Sequence, residues 1–132
     1  MEQKPLELIL ARNLLTSLNT PAFLVGEDGE LLFYNEAAGA LLGIPFEEAG
    51  RMAPEEWGEA FGPFDPDGEP IPYEELPTTR ALRKGLPSVG HFTIRSVKGG
   101  SHEIDVTALP IVADDGQRGS MGFFWRHEPE GK

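Results

Sequence analysis

The chain has 132 residues, a formal net charge of −11 and no cysteine. That length carries one domain with a core of its own, and the missing thiols exclude disulfides, thiolate catalysis, iron–sulfur clusters and cysteinyl–flavin adducts. The acidic field repels nucleic acid and anionic membranes, which excludes both as expected partners.

Residues 1–19 read as a flanking amphipathic helix, 20–127 as one domain and 128–132 as a tail. No apolar run spans a bilayer, and Glu2, Lys4, Glu7 and Arg12 interrupt any secretory pattern, so a cytoplasmic protein is expected. The spacing predicts a helix over Pro5–Leu18. In it Leu8, Ala11, Leu15 and Leu18 repeat at three- and four-residue steps, the stripe of one helical face. Such a stripe packs either on its own domain or on a second copy, and the expectation is a homodimer through these four residues. Asn19-Thr20-Pro21 breaks the helix.

Ala22–Val25 is a short apolar strand, Gly26-Glu27-Asp28-Gly29 a turn, and 30–35 a second strand rich in strand formers. Asn35 stands where a helix N-cap belongs, Glu36 lies at the positive end of that helix, and Gly43 ends it. Residues 44–50 suggest a short helical turn. Pro54–Phe61 puts Trp57 and Phe61 on one helical face. A connector rich in Pro and Gly follows, then a helix over Pro77–Lys84 with Gly85 past its end. Period-2 alternation predicts strands over 88–97, 102–112 and 119–127, separated by turns at Lys98–Ser101 and Asp114–Gln117.

In this order, LLTSLNTPAFLVGEDGELLFYNEAAGALLG, DPDGEPIPYEELPTTRALRKGLP and HFTIRSVKGGSHEIDVTALPIVADDGQRGSMGFFW resemble the PAS sensor family. The likeness runs from Leu15 to Arg126. It implies an α+β fold: a five-stranded antiparallel sheet with short helices on one face and a small apolar pocket between them. It matches Asn35 to the Asn that caps the first helix after the second strand, Pro110 to the Pro of the fourth strand, and Asp115-Gly116 to the turn before the fifth. Many members close the last strand with Asp-Ile/Val-Thr leading into an output helix. Here Trp125-Arg126-His127-Glu128 stands there, followed by Pro129–Lys132, and the expectation is either a sensor domain from a longer protein or a free-standing one that acts by contact.

The family's light sensors need an Asn-Cys-Arg context, which is missing. Its haem-binding members often carry a His on the helix before the third strand. Pro77–Lys84 holds Arg80 and Arg83 but no His, so haem is not expected; the cofactor stays unknown. Asp65, Asp67 and Glu69 resemble a fragment of a calcium loop, but Pro66 and Pro70 interrupt the spacing, so no metal is expected. Glu103 and Asp105 have the parity opposite to Ile104 and should face solvent or a partner. The expected ligand site is apolar: Trp57, Phe61, Leu76 and Leu82 from the helices, with Phe92, Ile94, Val106, Met121 and Phe123 from the sheet. Arg80 either turns inward as the anchor of that site for an anionic group or faces solvent, and without a ligand the same apolar residues would make an ordinary filled core. The function so read is a non-catalytic sensor that binds a small molecule or a signalling partner and reports by dimer or helix repacking. The alternatives are a ligand-free interaction module and a small cone-shaped α+β enzyme.

Overall fold

The structure, a computed structural model, describes residues 6–113 and 116–127. Five strands, β1 (Ala22–Gly26), β2 (Leu31–Tyr34), β3 (Ser88–Arg95), β4 (Ser101–Ala113) and β5 (Gly116–Arg126), form one sheet in the order β2-β1-β5-β4-β3. All neighbours are antiparallel. Helix α1 (Leu6–Thr16) precedes the sheet. Between β2 and β3 run α2 (Glu36–Leu42), α3 (Phe46–Ala49), α4 (Pro54–Phe61), a 3-10 turn over Tyr73–Glu75, and α5 (Pro77–Lys84). The expected strands and helices are therefore present, each within a few residues of its place. Asp114 and Asp115 of the second expected turn, Pro5 and the tail at 128–132 lie outside the described residues.

The sheet separates two apolar layers. On the inner face Val25, Tyr34, Ile94, Ile104, Val106 and Phe124 pack with Ala38, Leu42 and Phe61 from the helices. On the outer face Ala22, Leu24, Phe33 and Ile111 pack with Leu8, Ala11 and Leu15 of α1. The stripe on α1 thus covers its own sheet, and Leu15 is 0% exposed. This corrects the expectation that Leu8, Ala11 and Leu15 are displayed to a second copy; Leu18 also packs against this layer, half-buried. The surface that α1 does offer is made by Leu6, Ile9, Leu10 and Leu14. Hydrophobic residues surround most of this helix, and the more numerous exposed ones do not mark the packed side.

Asn35 joins the two layers. As N-cap of α2, its Oδ1 accepts from Ala38 N at 3.0 Å and from Ala22 N at 3.1 Å. Its Nδ2 donates to Thr20 O at 2.8 Å, Leu15 O at 3.0 Å and Leu18 O at 3.4 Å. Carbonyls at the end of α1 and just beyond it are therefore bonded by a side chain 17 to 20 residues away. Gly43, at φ 86°, closes α2 in the left-handed conformation that glycine adopts without strain.

Both edge strands meet a non-sheet segment. Phe64 exchanges two backbone hydrogen bonds with Thr93 of β3 (2.8 and 3.0 Å), and Met52 exchanges two with Leu31 of β2 (2.8 and 3.2 Å).

Candidate functional site

The inner layer is incompletely filled. A cavity of about 90 Å³ lies between the sheet and α4, the segment at Gly62-Pro63 and the start of α5. Phe23, Val25, Ile94, Ile104, Val106 and Phe124 form its sheet wall; Trp57, Phe61, Leu76 and Thr78 are among the residues that close the opposite side. Two of its polar lining groups are engaged elsewhere. The Tyr34 hydroxyl donates to Ile44 O at 2.6 Å, and Trp57 Nε1 donates to Gly29 O at 2.9 Å. Burial, with Glu47 and Glu48 nearby, pushes the Tyr34 hydroxyl up to about 12, so it stays neutral across the physiological range. Gly122 allows the close fit behind this wall, since a Cβ there would run into the Phe23 ring.

Of the residues expected to form the site, Trp57, Phe61, Leu76, Phe92, Ile94 and Val106 are brought together around this cavity. Met121 and Phe123 are not. The β4–β5 register sets Phe124 against Val106 and Phe123 against Thr107, so Met121 and Phe123 point to the outer face and pack on the layer under α1. Leu82 lines a separate surface cleft with Tyr73 and Arg83, because α5 approaches the sheet on its small residues Thr78 and Ala81. Arg80 is exposed and turned outward. Its Nη2 donates to Val89 O on the edge strand β3 at 2.9 Å, so it anchors a backbone carbonyl outside the cavity. Phe23, Val25, Leu31, Tyr34, Ile104 and Phe124 line the cavity and were missed. The alternation of β1 and the parity of Ile104 with Val106 carried the signal for several of them.

A second group of polar side chains stands on the outer face, beyond α1. His91 Nδ1 lies 3.0 Å from Asp105 Oδ1, His91 Nε2 3.0 Å from Glu103 Oε2, and His127 Nδ1 3.0 Å from Asp105 Oδ2. The Asp105 hydrogen bond holds the His91 imidazole above its ordinary value against the opposing effect of burial, and Glu103 adds to the rise. The hydrogen bonds from His127 and His91 hold Asp105 below the usual carboxylate range. As expected, Glu103 and Asp105 face away from Ile104. Asp65, the start of the expected acidic turn, spends Oδ1 on the backbone N–H groups of Asp67 and Glu69, both at 2.9 Å.

No protein-family model matches this sequence, and neither does any curated protein. Solved structures do match it. The PAS domain of nitrogen regulation protein NR(II) from Vibrio parahaemolyticus is 14% identical with a TM-score of 0.63, covering 89% of this chain and 98% of that one. The PAS domain of Bordetella pertussis BvgS is 14% identical with a TM-score of 0.61, covering 94% and 88%. An RNA-binding light-oxygen-voltage receptor gives 15% identity and a TM-score of 0.65, covering 89% of this chain and 32% of that one. The architecture is the PAS fold, an α+β arrangement of a five-stranded antiparallel sheet with helices on its inner face.

Proposed function

We propose that this chain is a non-catalytic sensor domain whose signal is a small, neutral, apolar molecule held between the sheet and helices α4 and α5. The observation that carries this reading is the cavity. It is enclosed by aromatic and aliphatic side chains, and charged residues are absent from its lining. Recognition there would rest on shape and desolvation. At about 90 Å³ it is smaller than the roughly 150 Å³ apolar cavity known to take up benzene. A three-ring cofactor would not enter without parting the helices, which disfavours flavin even though light-oxygen-voltage receptors share the fold. An anionic ligand lacks a counter-charge, since Arg80 faces outward.

The route from occupancy to output follows β5. Phe124 forms part of the cavity wall, while Phe123 and Met121 on the same strand pack under α1. A guest that displaces Phe124 moves the strand and the helix resting on it. The second reading, an interaction module, is favoured by the exposed apolar residues Leu10, Leu14, Val89 and Trp125. The two readings are compatible if the outer face carries the output.

The test is a melting curve with xenon or benzene at saturating concentration, on wild type and on Val106→Leu, which narrows the cavity. A guest at a hundredfold over its Kd adds about 2.7 kcal/mol of stability. The wild type is expected to melt higher and the variant to respond less. A wild type indifferent to both probes, or a variant that responds fully, refutes the ligand reading.

A further inference from the structure

We propose that His91, Asp105 and His127 bind one divalent transition-metal ion of the zinc type on the outer face of the sheet. His91 stands on β3, Asp105 directly opposite it on β4, and His127 immediately after β5. The His127 amide donates to Glu103 O at 2.8 Å, which continues the ladder past the end of β5 and fixes the position of that histidine. The donor atoms of the three side chains all lie within 4.8 Å of one another. The two rings stand edge to face with centroids 4.3 Å apart.

The donor set selects the ion. Two imidazoles and one carboxylate suit zinc and its first-row neighbours, whereas calcium and magnesium take oxygen ligands. Tetrahedral ligands about 2.0–2.1 Å from zinc stand roughly 3.3 Å apart. The two nitrogen–oxygen pairs, at 3.0 Å, are within a few tenths of an ångström of that spacing, and the two imidazole nitrogens, within 4.8 Å of each other, would close further on the ion. Asp105 offers one oxygen to each ring, which centres it between them.

Glu103 completes the arrangement. Its Oε2 lies 3.0 Å from His91 Nε2 and keeps the proton on that nitrogen, leaving the Nδ1 lone pair for the ion. A carboxylate behind a ligating imidazole also raises its basicity. The protein supplies three donors, and the partial exposure of all three side chains leaves the fourth position to water or to a donor from a partner. An acidic chain concentrates cations around this face. The ligands come from separate strands, so the ion would bind the folded chain and clip the end of β5 to β3 and β4.

The test is calorimetric titration of the full chain with zinc sulfate near pH 7.5. One ion per chain is expected, with a melting point raised by zinc and restored by chelator. His91→Ala and His127→Ala are each expected to weaken binding tenfold or more, and Glu103→Gln roughly tenfold. His102→Ala, which removes the remaining histidine, is expected to change nothing. On the unaltered protein, zinc is expected to move the ring resonances of His91 and His127 and spare those of His102. Absence of zinc binding, equal binding by the double variant His91→Ala/His127→Ala, or ring shifts confined to His102 each overturn the proposal.

Discussion

Replacing Asn35 by alanine is expected to cost about 3 kcal/mol, to which its two amide atoms contribute separately. The side chain is buried, 3% exposed, and each amide atom serves a different element. Loss of Oδ1 uncaps α2 at Ala38 N, which costs about 1 kcal/mol. It also strands the buried Ala22 N–H, which costs about 1–3 kcal/mol. Loss of Nδ2 frees the carbonyls of Leu15 and Thr20, but Leu15 O keeps its bond from Leu18 N, so this share is smaller. Against a typical stability of about 5–15 kcal/mol, the total is a large fraction. Urea unfolding followed by circular dichroism measures it, with an unchanged slope expected. Asn35→Asp isolates the Nδ2 half. It preserves both accepted bonds and places an anion at the helix N-terminus, yet sets an oxygen against the Leu15 and Thr20 carbonyls. It is expected to be destabilised as well. An alanine variant that loses less than about 1 kcal/mol refutes the bookkeeping, and an aspartate variant as stable as wild type refutes the tie to α1.

Leu15→Glu is expected to unfold or strongly destabilise the chain, because it puts a charge into a side-chain position that is 0% exposed, whereas Leu10→Glu is expected to leave the melting point nearly unchanged. Sedimentation of Leu10→Glu then tests association through the outer side of α1, and a self-associating wild type unaffected by this change would remove that side as an interface. The His91 imidazole is expected to titrate above 6.5 by NMR and to return toward that value in Asp105→Asn. Because its folded-state value is raised, the stabilisation is complete below about 6.5 and is lost as pH climbs through the folded-state value; a His91 that titrates unshifted contradicts the contacts.

Element types and most of their limits were legible in the sequence because each has a local cause. Asn35 and Gly43 bracket α2 by their own chemistry, and Pro77 and Gly85 do so for α5. The cavity was half legible. Trp57 and Phe61 share a helical face, and Ile94 and Val106 follow strand parity. Met121 and Phe123 were misplaced because β5 is apolar on both faces. One face packs on the cavity and the other under α1, so alternation gives no sign. Leu82 is an apolar residue of α5, but close packing of α5 on the sheet requires the smaller Thr78 and Ala81. The pairing of His91 with Asp105 follows from the hairpin turn near Gly99, but adding His127 requires the register of β5, which residues 14 to 22 apart do not announce.

The bridges at Phe64 and Met52 bear on how such a chain behaves when crowded. A bare edge strand is a template on which another chain can add its own. Here Thr93 spends its amide and carbonyl on Phe64, Leu31 spends its own on Met52, and the Val89 carbonyl takes a guanidinium proton from Arg80. Lateral growth into a continuous ribbon would first have to strip these partners away. Neighbouring molecules are thereby steered from edge-on stacking, which leads to fibres, to face-on contact, which can stop at a pair.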